Sequence, residues 1–157
     1  MSWVWLIVRV YTGWLWLGAG WEKIQKPAWV GGDAGGAITG FVRAALEKTT
    51  GPHADVAGWY AWFLSHAVLP YAGVWSHVVA FGELFVGIGL ILGIFTTAAA
   101  FFGGFMNMNY LLAGTLSSHP FMLLLAMGIV AAREIAGRIG LDKYIKPWFA
   151  RKLPDSR

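Results

Sequence analysis

Four apolar stretches, residues 3–21, 74–95, 96–115 and 120–136, take up about half of a chain of 157 residues. Spanning the hydrocarbon of a bilayer takes roughly 20 residues of helix, and a domain this small has no interior large enough to hide so many apolar side chains from water. Charged types are only 13% of the chain and its mean hydropathy is +0.58, against roughly 25% charge in a soluble domain. The expected fold class is therefore an all-α integral membrane protein: a four-helix transmembrane bundle with the lipid bilayer as its first partner. Ten Trp agree with that solvent, since indole rings favour the membrane–water boundary.

The spans differ in clarity. Val74 to Phe95 is the plainest, and carries His77 and Glu83. The first, residues 3–21, is interrupted by Arg9; with no basic residue ahead of it and a poor cleavage site at Gly18-Ala19-Gly20, it reads as a retained helix rather than a signal peptide. Residues 96–115 contain Asn107 and Asn109, and residues 120–136 end in Arg133-Glu134. The connections at residue 95 and at 116–119 are so short that consecutive helices must be antiparallel neighbours. Between the first two spans lies an insertion, residues 22–73. Within it Ile38, Phe41, Val42, Ala45 and Leu46 form a helical stripe, and the 14 residues Val56 to Leu69, too short to span, are expected to lie at the interface or to dip in and return, with Pro70 closing them. The glycine-rich run Gly31 to Gly36 reads as a linker or an anion nest. Gly89 with Gly93, and Ala99 with Gly103, are spaced as in closely packed membrane helices.

Basic residues set the orientation. Arg133, Arg138, Lys143, Lys146, Arg151, Lys152 and Arg157 follow the last span, so the tail, residues 137–157, is expected in the cytoplasm. Both termini are then cytoplasmic and the insertion is extracytoplasmic, in a multi-pass protein of a prokaryotic cytoplasmic membrane. The net charge of +4 is thus a topology signal and not a nucleic-acid one.

Ionisable groups at membrane depth are expensive and point to function or to pairing. If the first span ends at Gly20 and the second begins at Val74, Arg9 and Glu83 lie roughly 16 and 13 Å from those ends at 1.5 Å per residue, with Asn107 and Asn109 about 12 and 9 Å below Thr115. Arg9 shares a helix face with Gly13, Trp16 and Gly20; Glu83 shares one with Ser76, Ala80 and Gly87. These small or polar faces should point inward, so Arg9 and Glu83 are expected in contact, as a purely structural ion pair or as the catalytic, proton-handling or anion-binding pair. His53, His66, His77 and His119 all fall near the outer side and read as separate interfacial histidines or as ligands of a metal, haem or quinol. Cysteine is absent, which removes disulfides, iron–sulfur clusters and persulfide chemistry; no metal or flavin site is expected. Trp3, Trp5, Trp21, Trp75 and Trp148 read as belt anchors, and Trp14 and Trp16, set deeper, as packing residues or a platform for a quinone ring.

The runs Gly13-Trp14-Leu15-Trp16-Leu17-Gly18-Ala19-Gly20-Trp21-Glu22-Lys23-Ile24, Lys26-Pro27-Ala28-Trp29-Val30-Gly31-Gly32, Phe81-Gly82-Glu83-Leu84-Phe85-Val86-Gly87, Met106-Asn107-Met108-Asn109-Tyr110-Leu111-Leu112-Ala113-Gly114-Thr115 and Gly140-Leu141-Asp142-Lys143 together resemble the DoxX/DoxD family. The resemblance implies a four-span membrane protein. The best-known activity in that group belongs to the large subunit of thiosulfate:quinone oxidoreductase, which implies a quinone co-substrate and a small reduced sulfur compound as electron donor. On that reading Lys23, Lys26 or Arg9 would hold the thiosulfate dianion, Glu83 or His77 would relay protons, and His77, Asn107, Asn109, Lys23 and Lys26 form the substrate and quinone contacts. A partner membrane or extracytoplasmic subunit, or a second copy of the chain, is expected beside it. Two other functions fit the same residues: a non-catalytic accessory subunit of a larger respiratory or photosynthetic complex, and a pathway for a small solute or ion.

Overall fold

A computed structural model describes residues 2–50, 54–145 and 147. His53, Lys146, Trp148, Arg151, Lys152 and Arg157 lie outside the described residues, and so does most of the basic tail. The chain is all-helical, with no strand among the described residues. Among the described residues, α-helices run in the order α1 (Ser2–Ile24), α2 (Pro27–Val30), α3 (Gly36–Glu47), α4 (Gly58–Phe63), α5 (Ala72–Leu92), α6 (Thr96–Leu112), α7 (His119–Ala131) and α8 (Arg133–Ala136).

The long helices α1, α5, α6 and α7 form an antiparallel bundle, and glycine sets the spacing of its closest pair. A Cβ placed on Gly20 would fall 2.5 Å from the Leu84 nitrogen, one on Gly87 2.5 Å from the Leu17 nitrogen, and one on Gly13 2.9 Å from Ile91 Cγ1. The backbones of α1 and α5 therefore touch along a seam that no larger residue fits. Small residues also join α5 to α6, where a Cβ on Gly89 would meet that of Ala99 at 3.1 Å. The turn from α5 to α6 is three residues long and bends sharply, with Gly93 and Phe95 both in the left-handed region at φ 69° and 47°. The core of the bundle is Trp16, Val86, Leu90, Ala100, Met122 and Ile129.

The insertion covers one end of the bundle. The stripe read from the sequence packs as expected: Ile38, Val42 and Ala45 of α3 meet Val56, Tyr60, Leu64 and Val68 in a second core. Lys48 Nζ bonds the Gly114 carbonyl at 2.7 Å and fastens α3 to the turn after α6. The glycine run is a folded turn rather than a loose linker. Its amides bond within the chain, Gly35 to the Ala28 carbonyl and Gly36 to that of Asp33, and Gly35, at φ 105°, presses against the backbone of Gly73.

Pro70 does not end the segment before it. Helix continues from Gly58 to Leu92 for 35 residues, passing through a π turn at Leu64–Val68 and a 3₁₀ turn at Leu69–Tyr71. Proline lacks a donor and its ring crowds the carbonyl four residues back, and the wider and tighter turns accommodate both while the helix continues. Among the described residues this is the one helix long and apolar enough to cross a membrane by itself; α7 is apolar but only 13 residues long. Helix α1 has the length, 23 residues, but much of it is Trp, Tyr and Gly, which carry little hydropathy. Outside the bundle, Trp3, Ile7, Trp14, Val74, Phe85, Phe101, Phe105, Leu124 and Met127 are all exposed.

Candidate functional site

Glu83 sits on the face of α5 that meets α1 and is 2% exposed. A carboxylate buried this far needs a partner for each oxygen, or its desolvation outweighs any benefit. Both oxygens have one. Lys23, in the last turn of α1, reaches Oε2 at 2.6 Å, and the Tyr110 hydroxyl donates to Oε1 at 2.6 Å. The ammonium of Lys23 also lies 5.1 Å from the centre of the Trp29 ring, and its side chain is 21% exposed. Tyr110 carries the cluster onward by packing against the imidazole of His119, with ring centres 4.6 Å apart. His119 Nδ1 is 3.0 Å from the Asn107 side-chain oxygen. Four helices thus bring Lys23, Glu83, Tyr110, Asn107 and His119 together. Asn107 is fully buried, and its Nδ2 has no hydrogen-bond partner among the described residues.

Tyr110 also helps to line a cavity of about 690 Å³ that follows the groove between α5 and α6 under the insertion. Along most of its length the groove is hydrocarbon and aromatic ring, from Val79, Phe85 and Ile88 on one side and Phe102, Phe105 and Met106 on the other. Polar groups gather at one end only, where Tyr60, Asn109 and Tyr110 meet. The Tyr60 hydroxyl shares its hydrogen between the backbone and side-chain oxygens of Asn109, each at 3.0 Å, and Asn109 Nδ2 bonds the Phe105 carbonyl. A pocket of this size, mostly apolar with a few polar groups, has the general character of a small-molecule site.

Arg9 and Glu83 are not in contact, which corrects the pairing expected from the sequence. The faces were read correctly, since both side chains point into the bundle, but the register was not. The seam sets Gly13 against Ile91, Leu17 against Gly87 and Gly20 against Leu84. Glu83 therefore lies near the level of Trp21, roughly a dozen residues or about 18 Å along α1 from Arg9. The ends assumed at Gly20 and Val74 fall short of the real ones, because helix runs on to Ile24 and starts again at Gly58. Arg9, 1% exposed, instead donates to the carbonyls of Ile139 at 2.7 Å and Ala136 at 3.4 Å. Glycines at 93 and 140 make room for its guanidinium; a Cβ at either would fall within 2.6 Å of Nη1.

Beside it, Asp142 accepts the backbone N–H groups of Phe95 at 2.7 Å and Thr96 at 2.9 Å. A carboxylate there satisfies donors at the start of α6 and suits the helix dipole. The Gly140-Leu141-Asp142 segment is thus a cap supplied from a distant part of the chain.

The other candidates lie apart from Glu83. His77 Nδ1 is bonded to the Gly73 carbonyl at 2.8 Å, with its ring along Phe81. Six residues before Glu83, it points about 120° away around α5. Lys26 is exposed and paired with Glu22, and that hydrogen bond holds the Glu22 carboxyl below its ordinary range. His66 is exposed and stacked on Trp62. Trp16 is buried in the core, whereas Trp14 faces outward, 68% exposed, and packs against no part of the bundle's interior. The sequence reading left Tyr110 and Asp142 without roles of their own and set His119 among the interfacial histidines.

The described residues thus form a helical bundle with a hydrogen-bonded, buried carboxylate beside an apolar groove. The DoxX family model matches residues 4–116, and the chain belongs to the DoxX family. The matched stretch contains Lys23, Glu83, Asn107 and Tyr110 and stops short of His119 and Asp142. No curated protein and no solved structure matches the chain.

Proposed function

We propose that the chain is a four-span membrane subunit, with α1, α5, α6 and α7 in the bilayer, that passes electrons from a small reduced sulfur compound to a quinone in the α5–α6 groove. The membrane placement rests on family membership, on the 35-residue apolar rod and on the large side chains exposed around the bundle, for which lipid is the natural cover. Orientation follows the basic residues after α7, with both termini in the cytoplasm of a prokaryotic cell. The observation that carries the redox reading is Tyr110, whose hydroxyl donates to buried Glu83 at 2.6 Å while its ring walls the groove. A quinone taking up two electrons also takes up two protons. A head group at the polar end of the groove would meet a phenol able to give up a proton and a carboxyl able to replace it.

Thiosulfate is the donor that the family points to. Two thiosulfate dianions joining through a new S–S bond to give tetrathionate release two electrons, and quinone with two protons becomes quinol. No cysteine is present to carry sulfur, so the bond would form between two bound thiosulfates or on a partner subunit. Lys23 stands at the rim of the site, where its charge favours an arriving anion.

Purified protein in detergent, given thiosulfate and a short-tailed quinone, should form quinol and tetrathionate in equal amounts, and Glu83→Gln should abolish the turnover. No turnover with either the isolated chain or its native membranes, together with constant co-purification in a larger complex, would favour the accessory-subunit reading. Cysteine introduced at Thr50 should react with an impermeant thiol reagent on intact cells, and cysteine at Ser156 should not; the reverse pattern overturns the orientation.

A further inference from the structure

We propose that Glu83 exchanges its proton with only one side of the bundle, the side that carries the insertion. This inference rests on the membrane placement proposed above and not on the identity of the redox partners. The groups facing Glu83 are Lys23 from α1 and Tyr110 from α6, with His119 of α7 and Tyr60 of α4 behind Tyr110; α2 and α3 contribute the aromatic rings of Trp29 and Phe41. All of these lie toward the insertion. Lys23, like Tyr110 and His119, is partly exposed, and it touches the Glu83 carboxylate directly.

The opposite direction is closed by packing. Along α1 and α5 the seam at Gly13, Leu17, Gly20 and Gly87 leaves no space between backbones for a water or a polar side chain. Across the bundle, Trp16, Val86, Leu90, Ala100 and Ile129 form a continuous apolar layer. The polar groups at that level are the Thr12 hydroxyl, spent on the Val8 carbonyl of its own helix, and the Trp16 indole N–H, buried without a partner among the described residues. Beyond the layer the far end is filled by Arg9, Gly93 and Gly140, with Arg9 held by two carbonyls. The α5–α6 groove runs past this layer too, but its walls there are Ile94, Phe95 and Ala99, a lining that admits hydrocarbon and gives a water chain no partners.

A proton passing to or from the Glu83 carboxylate therefore travels by way of the insertion side. The arrangement also separates two buried polar clusters by function. One exchanges protons, and the other seals the opposite end.

The test uses the full chain in lipid vesicles of one orientation, checked by labelling a cysteine introduced at Thr50, with the pH inside and outside set independently. Dicyclohexylcarbodiimide, which modifies protonated carboxyl groups within membranes, is the probe, and modification is read at Glu83 by mass spectrometry with no quinone present. Acidifying the insertion side should raise labelling of Glu83 severalfold, and acidifying the other side should leave it unchanged. Labelling that follows the Arg9 side, both sides equally, or neither side overturns the proposal. A Leu90→Asn variant should make labelling respond to both sides; where it fails to fold, the two-sided comparison on the unaltered chain still decides. A chain that alkaline carbonate strips from the vesicles contradicts the membrane placement instead, so the two failures are told apart.

Discussion

Tyr110 gives its hydroxyl hydrogen to Glu83 Oε1 at 2.6 Å, tying α6 to α5 at the polar end of the groove. Hydrogen bonds to a charged partner contribute about 1.5–3 kcal/mol. Tyr110→Phe keeps the ring against His119 and removes only that bond, so it should lower stability by about this amount. Thermal unfolding in detergent measures it, and an unchanged melting temperature would show that the bond is not formed in solution.

Lys23 and Glu83 should respond unequally to removal. Lys23→Met leaves a carboxylate with 2% exposure and a single remaining donor, whereas Glu83→Gln leaves an ammonium that already reaches water. Stranding a buried charge costs about 3–5 kcal/mol, and Lys23→Met should approach that figure while Glu83→Gln falls well below it. The double variant should recover most of the loss. Denaturant titration of the three variants gives the comparison, and equal single-variant effects would count against the asymmetry.

Asp142 caps α6 through two amides, one of them on a non-glycine residue held at φ 47°. Asp142→Ala removes both acceptors and should cost about 1–3 kcal/mol, with faster hydrogen exchange at Phe95 and Thr96. Arg9→Lys should weaken the same end, since a single ammonium cannot reproduce the planar fork that spans the Ala136 and Ile139 carbonyls. Exchange rates at the α5–α6 turn that match the parent protein would contradict both expectations.

The glycine seam makes a graded prediction. Gly20→Ala and Gly87→Ala each place a methyl about 2.5 Å from a backbone nitrogen of the facing helix. Overpacking of that kind typically costs about 1–3 kcal/mol. Gly18→Ala meets nothing within 4 Å and should be neutral or slightly stabilising. Melting temperatures of the three variants in one detergent suffice, and equal effects would mean that α1 and α5 are not in backbone contact.

Much of this arrangement was legible in the sequence, and the pattern of what was missed has one cause. Apolar periodicity located α1, α3, α5, α6 and α7, and the inward faces of Arg9 and Glu83 followed from their neighbours at helical spacing. Depth does not follow, because ends at Gly20 and Val74 fall short of the real ones: helix runs on through the polar Glu22 to Ile24, and passes Pro70 unbroken from Gly58. The reliable ruler is the glycine pattern: Gly13 and Gly20 lie seven apart on α1, Gly13 meeting Gly87 and Ile91 of α5 and Gly20 meeting Leu84. With that register, Lys23 is the cation that reaches Glu83. Tyr110 carried no signal beyond its place in a family motif, since a tyrosine in an apolar run reads as packing until a carboxylate is placed opposite it. Asp142 likewise carries no signal beyond the motif Gly140-Leu141-Asp142-Lys143, because a cap supplied from 46 residues away leaves no local pattern.

The backbone contact between α1 and α5 gives α5 two unlike sides. One is locked to α1 at Gly13, Gly20 and Gly87, whereas the side toward α6 borders a groove that Tyr60 spans at one end through Asn109. Glu83 is thus carried on a helix whose position is set by backbone contact rather than by side chains that could repack.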